Sequence, residues 1–283
     1  VAPVPMTRLN NGVEIPQLGF GVYQVPPEDT ADVVATALEV GYRHIDTAEM
    51  YRNEKGVGEA IAQAGARSGL DRGEVFVTSK LNNGYHRRDD ALRAFDQSLA
   101  DLGFDHLDLF LIHWPLPGID VDYVETWKAL EEIYASGRCR AIGVSNFNPH
   151  HLRRLFAQAE VRPAVNQIEV HPYLAQDDVR AFDADHEIVT EAWSPIAQGK
   201  VLDDPVVVRV AERYGRTPAQ VVLRWHVQRG DVVFPKSVSR ERMQENSALF
   251  DFELDGDAMG DISALDRGER TGPDPDTFDW TPR

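Results

Sequence analysis

Gly19-Phe20-Gly21-Val22-Tyr23-Gln24 closes the first strand-like run of the chain, residues 18–22, and its reading decides between two architectures. An open dinucleotide-binding sheet places G-x-G-x-x-G at that junction, with the third glycine opening a helix. Here two glycines are present, but the junction supplies neither the third glycine nor a helix start. The alternative is a closed (β/α)8 TIM barrel. Outward from the junction, strand-like and helix-like stretches alternate. Ala31, Val34, Ala35 and Leu38 share one helical face over 28–40, followed by a strand over 42–46 and a helix over 55–64. A strand over 75–80 precedes a helix with the stripe Leu92, Phe95, Leu99 and Leu102. The strand over 107–113 precedes one with Tyr123, Trp127, Leu130 and Tyr134. Next come a strand over 141–145 and a helix opened by Asn148-Pro149, where cap and first-turn proline agree. Strands over 164–169, 188–193 and 232–235, each followed by helical sequence, complete eight units.

These strands are continuous apolar runs, as expected where both faces are buried. Eight units in roughly 250 residues match the size of a barrel. Ahead of them, Leu9-Asn10-Asn11-Gly12-Val13 carries an Asn-Gly turn and predicts an N-terminal β-hairpin. The Gly-, Pro- and Asp-rich stretch 266–283 is expected to wrap the surface as a C-terminal loop tail. No linker, repeat or low-complexity block divides the chain, so residues 1–283 are read as a single domain.

Of the 283 residues, 29 are Lys or Arg and 46 are Asp or Glu, a formal net charge of −17. Such a surface disfavours nucleic acid and anionic membrane as partners, and obliges any phosphate-bearing ligand to find a local basic pocket. The single cysteine, Cys139, precludes an internal disulfide and suits a reducing compartment. No apolar stretch has the length of a membrane span, and VAPVPM at the start lacks the pattern of a secretory signal. A cytoplasmic, monomeric protein is the expectation.

Barrel chemistry gathers at the C-terminal ends of the strands. Asp46 closes the second strand and Tyr51 lies in its loop; Lys80 closes the third and His113 the fourth. Ser145 and Asn146 end the fifth, Gln167 lies in the sixth, Trp193 and Ser194 end the seventh, and Lys236 and Ser237 follow the eighth. Each residue alone has a bland explanation, but their joint placement at strand ends does not. An acid, a phenol, an ammonium and an imidazole suggest proton transfer. A free tyrosine titrates near 10, and a neighbouring ammonium is expected to lower that value and make Tyr51 a general acid. Lys236, Ser237 and Arg242, where a helix start offers its N–H groups, suggest a phosphate site.

The segments GYRHIDTAEMYRNE (41–54), VTSKL (77–81), LFLIHWP (109–115), IGVSNF (142–147), VNQIEVHP (165–172), WSPIAQG (193–199) and FPKSVSRERMQEN (234–246) resemble, in order, the motifs of the aldo-keto reductases. The likeness is greatest to the bacterial 2,5-diketo-D-gluconate reductase type. The resemblance implies a catalytic tetrad of Asp46, Tyr51, Lys80 and His113. It also implies NADPH/NADP+ held by Ser145, Asn146 and Gln167 at the carboxamide and by Trp193 under the ring. Lys236, Ser237 and Arg242 would take the 2′-phosphate, with Glu245 and Asn246 at the adenine. Ser194, Ile196, Gly199 and Val238 complete the implied contacts, with 194–200 as a gating loop over the pyrophosphate. Tyr23, Met50 and Trp114 would wall the pocket of a small carbonyl substrate, with Phe278 and Trp280 of the tail as further candidates. Asn82 stands where a tryptophan often follows Lys-Leu in the family, which predicts a roomier or more polar pocket. Trp225, His226 and His171 read as structural.

The expected activity is NADPH-dependent reduction of aldehydes, ketoaldehydes or diketo sugars. Two other readings stand beside it: a cofactor-binding regulatory protein on the same fold, and a metal-dependent hydrolase using His44, Asp46 and His113. No metal is expected, because a third ligand beyond that histidine–carboxylate pair and His113 is not evident.

Overall fold

The computed structural model describes residues 2–282. Eight parallel strands pair in chain order: β3 (Phe20–Gly21), β4 (His44–Asp46), β5 (Phe76–Leu81), β6 (Leu107–Ile112), β7 (Cys139–Ser145), β8 (Val165–Glu169), β9 (Val189–Trp193) and β10 (Val232–Val233). The two edges meet at a parallel bridge between Leu18 and Val233, where Gly19 donates to the Val233 carbonyl and Val233 donates to that of Gln17. The sheet thus curls into the expected barrel. The final strand is shorter than the sequence suggests, and Cys139 opens β7 rather than preceding it.

The N-terminal hairpin is present as β1 (Met6–Arg8) and β2 (Glu14–Pro16). Its turn is not a tight Asn-Gly pair but a five-residue loop in which Leu9 donates to the Val13 carbonyl. Leu9 and Ile15 pack with Phe76, Leu109, Val165 and Val232, so the hairpin plugs the N-terminal end of the barrel.

Around the sheet lie α1 (Pro27–Val40), α2 (Glu54–Ser68), α3 (Arg88–Leu102), α4 (Tyr123–Ala135), α5 (Pro149–Phe156) and α6 (Asp177–Asp185). Two helices, α7 (Pro205–Tyr214) and α8 (Pro218–Gln228), separate β9 from β10; α9 (Arg240–Ser247) and α10 (Gly256–Ser263) follow. Local chemistry sets their ends. Thr217 and Gln220 form a reciprocal capping box with Pro218 at the first turn of α8. Gly103, at φ 71°, ends α3 and returns its N–H to the Leu99 and Ala100 carbonyls. No described helix is long and apolar enough to cross a membrane.

Strand parity sorts the core. Leu109 and Leu111 point into the barrel, whereas Phe110 and Ile112 point outward to the helices, Phe110 meeting Phe95 edge-on at 5.1 Å. At the N-terminal end the inward layer is apolar, with Phe76, Leu109 and Val165. Toward the C-terminal end it turns polar, with Asp46, Thr78, Lys80, Gln167 and Glu191 all buried, while His44 lies level with Phe76. Gly143 lets β7 pass closely, since a Cβ there would lie 2.6 Å from the Val165 carbonyl oxygen.

Two outward carboxyls sit in the layer between strands and helices. Glu54, at the start of α2, accepts from Ser79 at 2.6 Å and Ser98 at 3.2 Å, and burial pushes it up to about 7. Asp183 on α6 accepts from Thr190 and Asn166 and is likewise pushed up to about 7. A carboxyl raised above its unfolded value lends stability below that value and loses it as pH climbs through the folded one. Glu54→Gln removes that loss. Thermal melts should therefore show the variant gaining on wild type between about pH 5 and pH 8, and a constant difference would contradict this account.

Candidate active site

The inner face of the strands and the loop after β4 bring Asp46, Tyr51, Lys80 and His113 together. Asp46 and Lys80 project inward from β4 and β5, and His113 continues the inward parity of β6 by one residue. Lys80 is fully buried, with Nζ 2.6 Å from Asp46 Oδ1, 2.9 Å from the Thr47 carbonyl and 3.3 Å from the Tyr51 hydroxyl. Tyr51 arrives on a 3-10 turn, Glu49–Tyr51, that ends at Arg52 with φ 57°. Asn53 braces this loop, accepting from Thr47 Oγ1 at 2.8 Å and donating to the Val22 carbonyl at 2.9 Å. The His113 ring meets Tyr51 edge-on at 5.9 Å.

Electrostatics fix the proton inventory. Burial opposes the Lys80 charge, but Asp46 and Tyr51 outweigh it and raise its pKa above the ordinary value. Burial drives His113 well below its usual value and Lys80 pushes the same way, so the imidazole is neutral. Tyr51 departs from the sequence reading. Burial raises the phenol and Lys80 only partly offsets it, so the net shift is upward. The reason is exclusion of water from the phenol, which the ammonium at 3.3 Å does not fully offset and the Asp46 charge reinforces.

Beside this group, Ser145 Oγ donates to the Gln167 carbonyl at 2.7 Å. Asn146, at φ 63°, donates from Nδ2 to the His113 carbonyl at 3.0 Å and accepts the Trp193 indole N–H at 2.8 Å. One amide therefore ties together the ends of β6, β7 and β9. Gln167 Nε2 donates to Asp46 Oδ2 at 2.8 Å and to Glu191 Oε1 at 3.1 Å. Ser194, Ala197 and Gln198 all have positive φ in a tight turn that runs through Ile196 to Gly199. Past β10, Lys236, Val238 and Arg242 are exposed, Ser237 is buried and Ser239 caps α9. Lys236 and Arg242 have no carboxylate partner among the described residues, whereas neighbouring Arg240 pairs with Glu39. Glu245 is half-buried on α9 and Asn246 is buried. This array suits a dinucleotide: acceptors and donors at strand ends, an indole at the rim, and two unpaired cations at a helix start.

The residues matching the sequence pattern of the aldo/keto reductase family run from 17 to 267. The chain belongs to that family. Aldo-keto reductases are oxidoreductases that work with NADPH. The chain is 51% identical over 277 residues to an aldo-keto reductase of Mycolicibacterium smegmatis, covering 98% of this chain and 99% of that one. It is 48% identical over 273 residues to methylglyoxal reductase DkgA of Escherichia coli strain K12, covering 96% and 97%. Among solved structures, a point mutant of Gox0644 in complex with NADPH superposes with a TM-score of 0.93 at 45% identity, covering 98% and 99%.

Of the residues that the sequence of this aldo-keto reductase suggests for the substrate, exposed Tyr23 lies 5.2 Å from the Tyr51 ring, and half-buried Met50 precedes Tyr51 in its turn. Trp114 is buried between Trp193, at 6.5 Å, and Phe278 of the tail, at 4.4 Å. Trp280 is exposed, with its carbonyl accepting from Asn83. Asn82 donates to Glu49, which makes that wall polar. Trp225 and His226 are core, and His171 serves Glu169. His44 turns to the Pro16 carbonyl and Asp46 is occupied by Lys80 and Gln167. The metal-hydrolase trio therefore offers no joint ligand set. The one such cluster among the described residues is His150, His151 and Asp276, away from the tetrad. There, His151 Nδ1 accepts the Asn148 N–H, which leaves the proton on Nε2 and no lone pair for a metal.

Two buried carboxyls on the inward face, Glu191 and Glu169, are absent from the residues the sequence singled out. Glu191 could have been found from parity, lying two before Trp193 on the same face. Glu169 could not, because it gathers His171 Nε2, the Thr271 N–H and hydroxyl, and the Gly272 N–H, and all but the first of these contacts are made by the returning tail. Gly272 lies against the Trp193 indole, and a Cβ there would meet it at 2.4 Å. Gly272→Ala should push the ring from its place, read as a changed tryptophan emission with a nearly unaltered Tm; unchanged emission would mean the tail does not position Trp193.

Proposed function

We propose that this chain reduces small aldehydes, ketoaldehydes or diketo sugars to alcohols with NADPH, Tyr51 acting as the general acid. The observation that carries this reading is the single Lys80 ammonium shared between Asp46 and the Tyr51 hydroxyl beside a neutral His113. The phenol holds its proton at neutral pH, as a donor must, and the Lys80 ammonium beside it works against the rise that burial imposes, which eases release of that proton. Lys80, already in place, stabilises the phenolate that remains. The neutral His113 can donate a hydrogen bond to a carbonyl oxygen without competing as an acid. Bound NADPH supplies the hydride.

Ser145, Asn146 and Gln167 would hold the carboxamide, with Trp193 beneath the ring. Lys236, Ser237 and Arg242 would hold the 2′-phosphate and Glu245 and Asn246 the adenine. Val238 and the turn with Ser194, Ile196 and Gly199 would lie along the rest of the dinucleotide. Tyr23, Met50 and Trp114 would form the substrate walls, and Asn82 with Glu49 a polar side suited to hydroxylated carbonyl compounds.

Tyr51→Phe removes the donor and little else. Carbonyl reduction should fall by about 10²–10⁴-fold or more while NADPH affinity is retained, and near-normal turnover would refute the role. In a separate binding titration, Arg242→Ala should weaken NADPH far more than NADH; equal weakening would remove Arg242 from the 2′-phosphate.

A further inference from the structure

Glu191 is wholly buried in the barrel, and nothing in the proton transfer above uses it. It lies on β9 two residues before Trp193, so both point inward, about 7 Å apart along the strand. Its Oε1 accepts from Gln167 Nε2, the same nitrogen that donates to Asp46, and its Oε2 has no partner among the described residues. Because Nε2 faces two acceptors, the Gln167 amide is held in one orientation, with Oε1 turned away from both.

The charged groups facing Glu191 from other strands are Asp46 on β4 and Lys80 on β5. His44, on the inner face of β4, is held near 4 by burial and is neutral. The paired neighbours in the sheet, Gln167 on β8 and Val232 on β10, carry no charge. One ammonium thus stands against two carboxyl groups, and it is already engaged by Asp46 at 2.6 Å. A second carboxylate would be a buried charge with a single N–H donor, an arrangement that disfavours ionisation. Burial first, then Asp46, pushes Glu191 up to about 8.

We propose that Glu191 is a positioning residue for Gln167 whose proton is linked to the oxidation state of the nucleotide. It is a neutral acid opposite the uncharged reduced ring and a carboxylate opposite the cationic oxidised ring. This rests on the reading that the ring lies at Gln167 and Trp193. The step is a simple dissociation: the Glu191 O–H bond breaks, its electron pair stays on the carboxylate, and the proton leaves to solvent. The cation that Lys80 cannot provide twice is supplied by the oxidised ring. The linkage makes NADP+ bind more tightly as pH rises toward the apo value, and leaves NADPH indifferent at this group.

The test is a titration of NADP+ and of NADPH, followed by tryptophan emission, between about pH 6 and pH 9 in wild type and Glu191→Gln. The 2′-phosphate and its cations titrate alike with both nucleotides and cancel in the ratio of the two Kd values. In wild type, Kd for NADP+ relative to NADPH should fall by up to about tenfold per pH unit and level off above the transition. In Glu191→Gln the ratio should be flat. A flat ratio in wild type, or the same slope in the variant, would overturn the inference while leaving the cofactor reading intact. Calorimetry of wild type alone in two buffers of different ionisation enthalpy guards against a misfolded variant. NADP+ should release up to one proton more than NADPH, and equal release would also overturn it. Failure of both nucleotides to bind would bring down the cofactor reading itself.

Discussion

The ion pair between Lys80 and Asp46 is the interaction on which the rest of the site depends. An ammonium with no exposed surface survives in the interior only because a carboxylate lies 2.6 Å away and a backbone carbonyl accepts a second N–H hydrogen bond. Removing one partner of such a pair leaves an uncompensated charge and costs about 3–5 kcal/mol. That cost explains why the surroundings are so closely specified. Gln167 fills the other oxygen of Asp46, Thr47 turns its carbonyl inward, and Asn53 fixes the loop that makes this turn. The same charge raises the barrier to protonating His113 and tempers the rise in Tyr51. Burial sets the direction of both shifts, and this one cation deepens the first and moderates the second.

This polar layer is possible because the barrel is divided along its axis. At the N-terminal end, Leu9 and Ile15 of the hairpin complete an apolar plug with Phe76 and Leu109. At the C-terminal end the inward positions carry the polar side chains of the candidate site, and strand parity decides which residues reach it. The division also separates stability from function, since the outward positions of the same strands bind the helices.

Much of this was readable in the chain. The absent third glycine after Gly21 argued against an open sheet, and alternation over eight units argued for the closed one. The strand ends pointed to Asp46, Lys80 and His113 because position along a barrel strand is visible in sequence. What could not be read depends on distance and solvent. Tyr51 was expected to be more acidic than a free phenol because its neighbour is cationic, but the sequence does not say how much water is excluded. The hairpin loop came out longer than its Asn-Gly pair implied, since packing of Leu9 into the barrel overrode the tight turn. Glu169 escaped notice because its partners in the tail lie about a hundred residues later, in a stretch whose composition promised only irregular structure.

The unpaired Lys236 and Arg242 sit on a molecule with a formal charge of −17. A dinucleotide phosphate approaching through dilute solution meets repulsion from the whole acidic shell before it feels these two side chains. The Debye length is about 10 Å at 0.1 M salt, so added electrolyte erases the distant repulsion first and leaves the short-range attraction largely in place. Moderate ionic strength should thus hasten capture of the coenzyme, the reverse of the trend for a basic enzyme meeting the same ligand.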